Sequence, residues 1–267
     1  MSISLTRALR RLSFAGVVVA TLLGSALSRG AAAGTDAGPT ARTEAHVRTS
    51  LGGETRGVYS RLPITLQTEG HELLAFPPAK TAAARPMTVV YLHGARGRAA
   101  NGCPAFRSGA SELGWLVCPE AIEPQPDGSW SWGADVFQQR PVVARAIHAA
   151  EAKGASPEPG VAVGFSQGSY VALDLVRARF ARFRGLVLLG AELHPNVKTL
   201  RDAGVRRVAL GAGQLDATYA SLEEEALRMA NEGLEARFFD LGRVGHTYVV
   251  DDTAVLRNAI AWAGGKD

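Results

Sequence analysis

Apolar residues along this chain follow two rhythms. Short unbroken runs alternate with longer stretches in which apolar positions recur every three or four residues. The runs are HELLAF (71–76), closed by Pro77-Pro78, MTVVYL (87–92), GWLVC (114–118), GVAVGF (160–165), GLVLLG (185–190), VRRVALG (205–211) and EARFFDL (235–241). Continuous runs of this length suit strands covered on both faces of a sheet. A first strand is expected somewhere within 56–66. Residues 141–152 carry Val143, Ala146, Ile147 and Ala150 at helical spacing, with Pro141 suited to the first turn and Gly154 to the stop. Residues 167–180 place Val171, Leu175 and Ala178 on one side of a second helix. SLEEEALRMANEG reads as a third, with acids in its first turn and Gly233 as its stop, and 252–263 as the last.

This repeated strand–helix alternation predicts an α/β chain with a mostly parallel central sheet and helices on both faces. The segment between the run 185–190 and Asp216 has no room for a large cap domain. In such sheets ligands bind beyond the carboxyl ends of the strands. The residues that follow each run are therefore the ones that bear on function.

The N-terminus has a different character. Arg7, Arg10 and Arg11 precede an apolar run from Phe14 to Leu27, followed by the small-residue stretch SRGAAAG. That order predicts an export signal over 1–33, with Arg10-Arg11 compatible with a twin-arginine route. Gly16, Gly24 and Ser25 interrupt the run, and it falls short of the about 20 apolar residues of a membrane span. The expected product is periplasmic or secreted, with no stable span after cleavage. Residues 34–55, rich in Gly, Thr, Ala and Arg, read as a flexible linker, and 56–265 as one catalytic domain.

The signal also changes the meaning of the charge. A net charge of +4 invites a nucleic-acid reading. The four arginines of residues 1–33 account for the whole excess, leaving 25 basic and 25 acidic residues in the remainder. No surplus is left for phosphates, so no nucleic-acid partner is expected. In an exported chain the two cysteines, Cys103 and Cys118, are expected to pair as a disulfide. The scattered histidines form no metal constellation, and no metal or cofactor is implied.

Chemistry gathers at the expected strand ends. MTVVYL runs into His93-Gly94-Ala95-Arg96-Gly97, and GVAVGF into Ser166. The run 205–211 leads to Asp216, and 235–241 to His246. A serine hydroxyl is a weak nucleophile until a base takes its proton, which neutral imidazole does near pH 7. A carboxylate behind the ring fixes its tautomer and stabilises the imidazolium that forms. Attack on an ester carbonyl builds negative charge on oxygen, which preset N–H donors stabilise. Gly164 and Gly168 flank Ser166 as G-x-S-x-G, and permit the close chain crossings of a strained strand–Ser–helix turn.

GFSQGS, LHGARG, Asp216 and His246 together resemble the α/β-hydrolase superfamily, in its small carboxylesterase/phospholipase and dienelactone-hydrolase branches. The resemblance covers roughly 56–265 by strand order. It implies Ser166 as nucleophile, His246 as base and Asp216 as its orienter. It also implies the N–H groups of Gln167 and Ala95 as oxyanion donors. Two features depart from the family pattern: Ser169 stands where relatives often carry glycine, and the loop HGARGRAANGCPAF differs from the HGLGD type.

Other residues compete for these roles. His194 lies at another strand end and His148 within a helix, while Asp240 lies in a strand and Glu192 one strand early. His93 reads as a structural support of the oxyanion loop. Trp130 and Trp132 are candidates for the pocket wall, as are Tyr170 and Tyr248. Arg96 and Arg98 read as solvated surface charge. The expected function is an exported serine hydrolase acting on a small-molecule carboxylic ester through an acyl-enzyme. A peptidase or acyltransferase of the same fold is the first alternative, and a non-catalytic binding protein the second.

Overall fold

The computed structural model describes residues 63–266, apart from 69–70, 81–84, 159, 181 and 251–252. The export segment 1–33 and the linker 34–55 lie outside the described residues, as does 56–62 of the window for the first strand.

Among the described residues eight strands form one sheet: β1 (Ile64–Thr68), β2 (His71–Phe76), β3 (Met87–Leu92), β4 (Gly114–Cys118), β7 (Gly160–Phe165), β8 (Phe183–Leu189), β9 (Arg207–Ala212) and β10 (Glu235–Asp240). Their spatial order is β1-β2-β4-β3-β7-β8-β9-β10. The pairings β1–β2 and β2–β4 are antiparallel and the rest of the sheet is parallel. A separate two-stranded ribbon joins β5 (Glu123–Pro124) to β6 (Trp130–Ser131).

The apolar runs are continuous because each face of the sheet has its own helix layer. Val90 and Leu92 of β3, Leu186 and Leu188 of β8, and Val208 and Leu210 of β9 share one core. That core is closed by α2 (Val136–Glu151), α3 (Gln167–Arg177) and α5 (Tyr219–Asn231). The alternating residues Val89, Tyr91, Val187, Leu189 and Ala209 point to the other core, closed by α1 (Ala99–Leu113) and α6 (Ala254–Ala263). Period-two alternation with both faces apolar is what a fully covered parallel sheet requires. A short α4 (Val197–Asp202) lies between β8 and β9, and no large cap is inserted there.

Several details differ from the sequence reading. Helix α1 has no counterpart in the apolar pattern, because Gly102, Pro104 and Gly109 break its helical signature. Packing explains the glycines. A Cβ on Gly109 would lie 2.9 Å from the Arg257 Cα of α6, and one on Gly102 would strike the hydroxyls of Tyr91 and Tyr248. Helix α2 starts at Val136, where Asp135 accepts the Phe137 N–H at 2.8 Å, so Pro141 lies inside the helix and not in its first turn. Helix α5 begins at Tyr219, which moves its acids out of the first turn.

Candidate active site

Ser166 is the single residue between β7 and α3, with φ 51° and ψ −119°. An L-residue held there costs on the order of 1–3 kcal/mol and persists only where its surroundings dictate it. Here the surroundings do. The Ser166 N–H donates to Leu189 O at 2.8 Å, and the Ser169 N–H donates to Ser166 O at 2.9 Å. Ser169 Oγ, fully buried, donates to Leu189 O and accepts the Leu189 N–H, both at 3.1 Å. The departure from glycine at 169 thus ties the turn to β8. Both flanking glycines are required by close approach. A Cβ on Gly168 would strike the Leu92 carbonyl, and one on Gly164 would lie 2.6 Å from Ser169 Cα.

Asp216 lies in the loop after β9 and His246 in the loop after β10. Main-chain bonds stitch the two loops together, Gln214 N–H to Gly242 O at 2.9 Å and Leu215 N–H to Val244 O at 3.0 Å. The His246 Nδ1–H donates to Asp216 Oδ2 at 2.8 Å, since a carboxylate can only accept. Asp216 Oδ1 accepts the Thr218 N–H at 2.9 Å and the Thr218 hydroxyl at 3.0 Å. Burial pushes the Asp216 carboxyl up, but these hydrogen bonds outweigh it and hold the group below its ordinary range.

Phe165 and Gly190 bring this pair to the Ser166 turn. The Phe165 and His246 rings lie 4.9 Å apart. A Cβ on Gly190 would be 3.0 Å from the Phe165 ring, 3.2 Å from His246 Cε1 and 3.3 Å from Asp216 Oδ2. On the other side, a Cβ on Gly94 would lie 3.3 Å from Ser166 Cβ. The structure therefore gathers Ser166, His246, Asp216 and the loop after β3 at the carboxyl edge of the sheet.

Gln167 follows Ser166 directly and Ala95 follows Gly94, and no hydrogen bond to protein engages either N–H among the described residues. The Gln167 side chain is engaged elsewhere, accepting the Trp132 N–H at 3.0 Å. Buried His93 supports the loop. Its Nδ1–H donates to Gly94 O at 2.8 Å, and Nε2 faces the Ala121 N–H at 3.2 Å and Glu120 Oε1 at 2.8 Å. Glu120 carries no signal in the sequence that marks it for this site. Arg98 stands at the N-cap of α1 with no side-chain cap, and Glu120 Oε1 accepts the Ala99 N–H in its stead at 3.0 Å.

The pocket candidates separate. Trp132 is fully buried in the core and donates its Nε1–H to His93 O at 2.8 Å, so it is a packing residue and not a pocket wall. Trp130 is half-buried and lines a cavity of about 310 Å³ with Leu73, Ala121 and Val142, whose lining does not include Ser166. Tyr248 packs edge-on against Phe165, with ring centroids 4.8 Å apart, and braces the His246 loop. Tyr170 is exposed and donates its hydroxyl to Glu192 O at 2.9 Å.

The rival groups are engaged elsewhere: His194 with Glu225, and Asp240 with Gln214. Arg96 pairs with Asp127 at 2.6 Å. Cys103 on α1 and Cys118 at the end of β4 sit at disulfide distance, Cα–Cα 6.0 Å. Among the described residues no group of three or more His, Cys, Asp or Glu could hold a metal ion. No described helix is long and apolar enough to cross a membrane.

No protein-family model matches the chain. No curated protein matches it in sequence. Solved structures do match in fold. A carboxylesterase from Mesorhizobium loti is 21% identical, with 76% of this chain and 99% of that one aligned at a TM-score of 0.56. An S-formylglutathione hydrolase from Agrobacterium tumefaciens is 17% identical over 76% of this chain and 94% of that one, also at 0.56. An uncharacterised protein from Bacillus cereus ATCC 10987 is 18% identical at 0.57; the match covers 67% of this chain and only 59% of that one. With the strand order above, these likenesses establish the α/β-hydrolase fold.

Proposed function

We propose that this protein is a serine hydrolase that cleaves small-molecule carboxylic esters through an acyl-enzyme. The observation that carries the reading is the His246–Asp216 pair, packed through Phe165 against a serine in a strained strand–helix turn.

In this reading Ser166 Oγ attacks the ester carbonyl while His246 Nε2 takes the hydroxyl proton. Asp216 holds the Nδ1–H and stabilises the imidazolium. The carbonyl oxygen becomes an oxyanion facing the N–H groups of Gln167 and Ala95, with the N-terminus of α3 adding its dipole. Collapse of the tetrahedral adduct breaks the ester C–O bond, and the alcohol leaves with the proton from His246. A water, deprotonated by the same imidazole, then releases the acid and restores Ser166.

The solved structures of similar fold include proteins described as carboxylesterases, which favours esters over the peptidase and acyltransferase alternatives. The export signal over 1–33 is part of the same proposal and rests on the sequence alone. The test is a panel of p-nitrophenyl esters and p-nitroanilides of increasing acyl length. Ester turnover far above amide turnover is expected, and comparable rates would overturn the ester assignment.

A further inference from the structure

The ribbon formed by β5 and β6 reaches the site through three consecutive residues. Trp130 exchanges two main-chain hydrogen bonds with Gly97, at 2.9 and 3.1 Å. Ser131 Oγ accepts the Arg96 N–H at 3.0 Å. Trp132 donates its N–H to Gln167 Oε1 at 3.0 Å and its Nε1–H to His93 O at 2.8 Å. Trp130, Ser131 and Trp132 thus grip the loop that carries Ala95 on one side and the first residue of α3 on the other. The ribbon turn is itself braced, with Asp127 accepting from both the N–H and the hydroxyl of Ser129.

One of these contacts acts where the backbone most needs it. Arg96 has φ 55°, the left-handed region that a non-glycine residue keeps only with tertiary support. The Arg96 N–H belongs to the peptide that joins it to Ala95. Its acceptor, the Ser131 hydroxyl, sits on a residue only 9% exposed, so water does not readily replace it. The other link is weaker: the side chains of the Arg96–Asp127 pair are 65% and 50% exposed, and pairs open to solvent contribute little.

We infer that Ser131 is a positioning residue of the oxyanion hole. Its hydroxyl fixes the Ala95–Arg96 peptide and with it the direction of the Ala95 N–H. The inference rests on the hydrolase reading above and adds a residue that touches neither substrate nor Ser166.

The test compares wild type with Ser131→Ala, Ser131→Thr, Ser131→Cys and Asp127→Asn on one p-nitrophenyl ester. The readouts are kcat, KM, melting temperature and the inhibition constant of a trifluoromethyl ketone, which builds an oxyanion on Ser166. Ser131→Ala is expected to lose about 10- to 100-fold in kcat with KM within about twofold. The ketone should weaken by the same factor by which kcat/KM falls. Ser131→Thr restores most of the rate, and Asp127→Asn, which keeps an acceptor oxygen for Ser129 and removes only the exposed charge pair with Arg96, stays within about threefold of wild type. Wild-type kcat in Ser131→Ala overturns the inference, as does a lost rate that tracks melting temperature while ketone affinity is unchanged.

If Ser131→Ala does not fold, Ser131→Cys decides by the same readouts, since it fills the site with a side chain of the same shape, slightly larger, and weakens the acceptor. An active wild type with unaffected variants removes this inference alone. A wild type that neither turns over esters nor reacts at Ser166 removes the hydrolase reading and this inference with it.

Discussion

His246 donates its Nδ1–H to Asp216 Oδ2 across 2.8 Å, and the two side chains differ sharply in exposure, 50% for the imidazole and 3% for the carboxylate. The acid sits behind the ring, and the ring stands where a substrate can reach it. That asymmetry suits a carboxylate that orients and a base that works. Asp216→Asn keeps the shape but presents an amide that favours the wrong tautomer. Steady-state kinetics should show kcat lower by about 10³- to 10⁴-fold with KM little changed. A loss under tenfold would contradict the orienting role.

The hydrogen bonds around Asp216 also predict an acid dependence of stability. Burial raises this carboxyl, but the Thr218 N–H, the His246 ring and the Thr218 hydroxyl together lower it below its ordinary value. A folded value below the unfolded one, about 3.9, gives stabilisation that is fully present above the unfolded value. It is lost as the pH falls through the lowered folded value. Urea midpoints of wild type and Asp216→Asn should therefore differ most near neutrality and converge well below about pH 4. A gap that stays constant across that range would contradict the argument.

Gly168 packs its backbone against the Leu92 carbonyl, where a Cβ has no space. Gly168→Ala is expected to destabilise the fold by about 1–3 kcal/mol through overpacking. The Ser166 turn should be displaced with it. Thermal denaturation checks the first effect and the fluorophosphonate labelling rate the second. A variant as stable and as reactive as wild type would show that the crossing has slack.

Cys103 on α1 and Cys118 on β4, 15 residues apart in sequence, sit at disulfide distance, and a bond between them would close that loop. A bond of that span stabilises by about 3 kcal/mol in the chain-entropy model. Thiol titration of the denatured protein should find none before reduction and both after. The Cys103→Ser/Cys118→Ser double variant should melt earlier by a margin of that size. Two free thiols in unreduced protein would contradict the bond.

How far the sequence carried depended on where each signal lies. β3, β7, β8 and β9 were legible because both of their faces are buried, which leaves an unbroken apolar run at Val89–Val90–Tyr91–Leu92 and its counterparts. The strand ends then led to Ser166, Asp216 and His246, because chemistry in a parallel sheet collects at one edge. Helix α1 was hidden by Gly102 and Gly109, residues chosen for close packing and not for helix propensity. Trp132 was misread because a sequence does not tell a tryptophan in the core from one in a pocket. Glu120 and Ser131 were invisible for a deeper reason. Each acts on a backbone N–H distant in sequence, Ala99 or Arg96, and no local pattern marks such a contact.

The central claim is that Ser166 is the nucleophile, and active-site labelling tests it most directly. The purified protein is treated with a fluorophosphonate, digested and mapped by mass spectrometry, alongside Ser166→Ala. The account predicts one phosphonylated site, at Ser166, in wild type and none in the variant, with ester hydrolysis lost in parallel by about 10⁴-fold or more. An unlabelled wild type, or a Ser166→Ala variant that labels and turns over ester as wild type does, would contradict it.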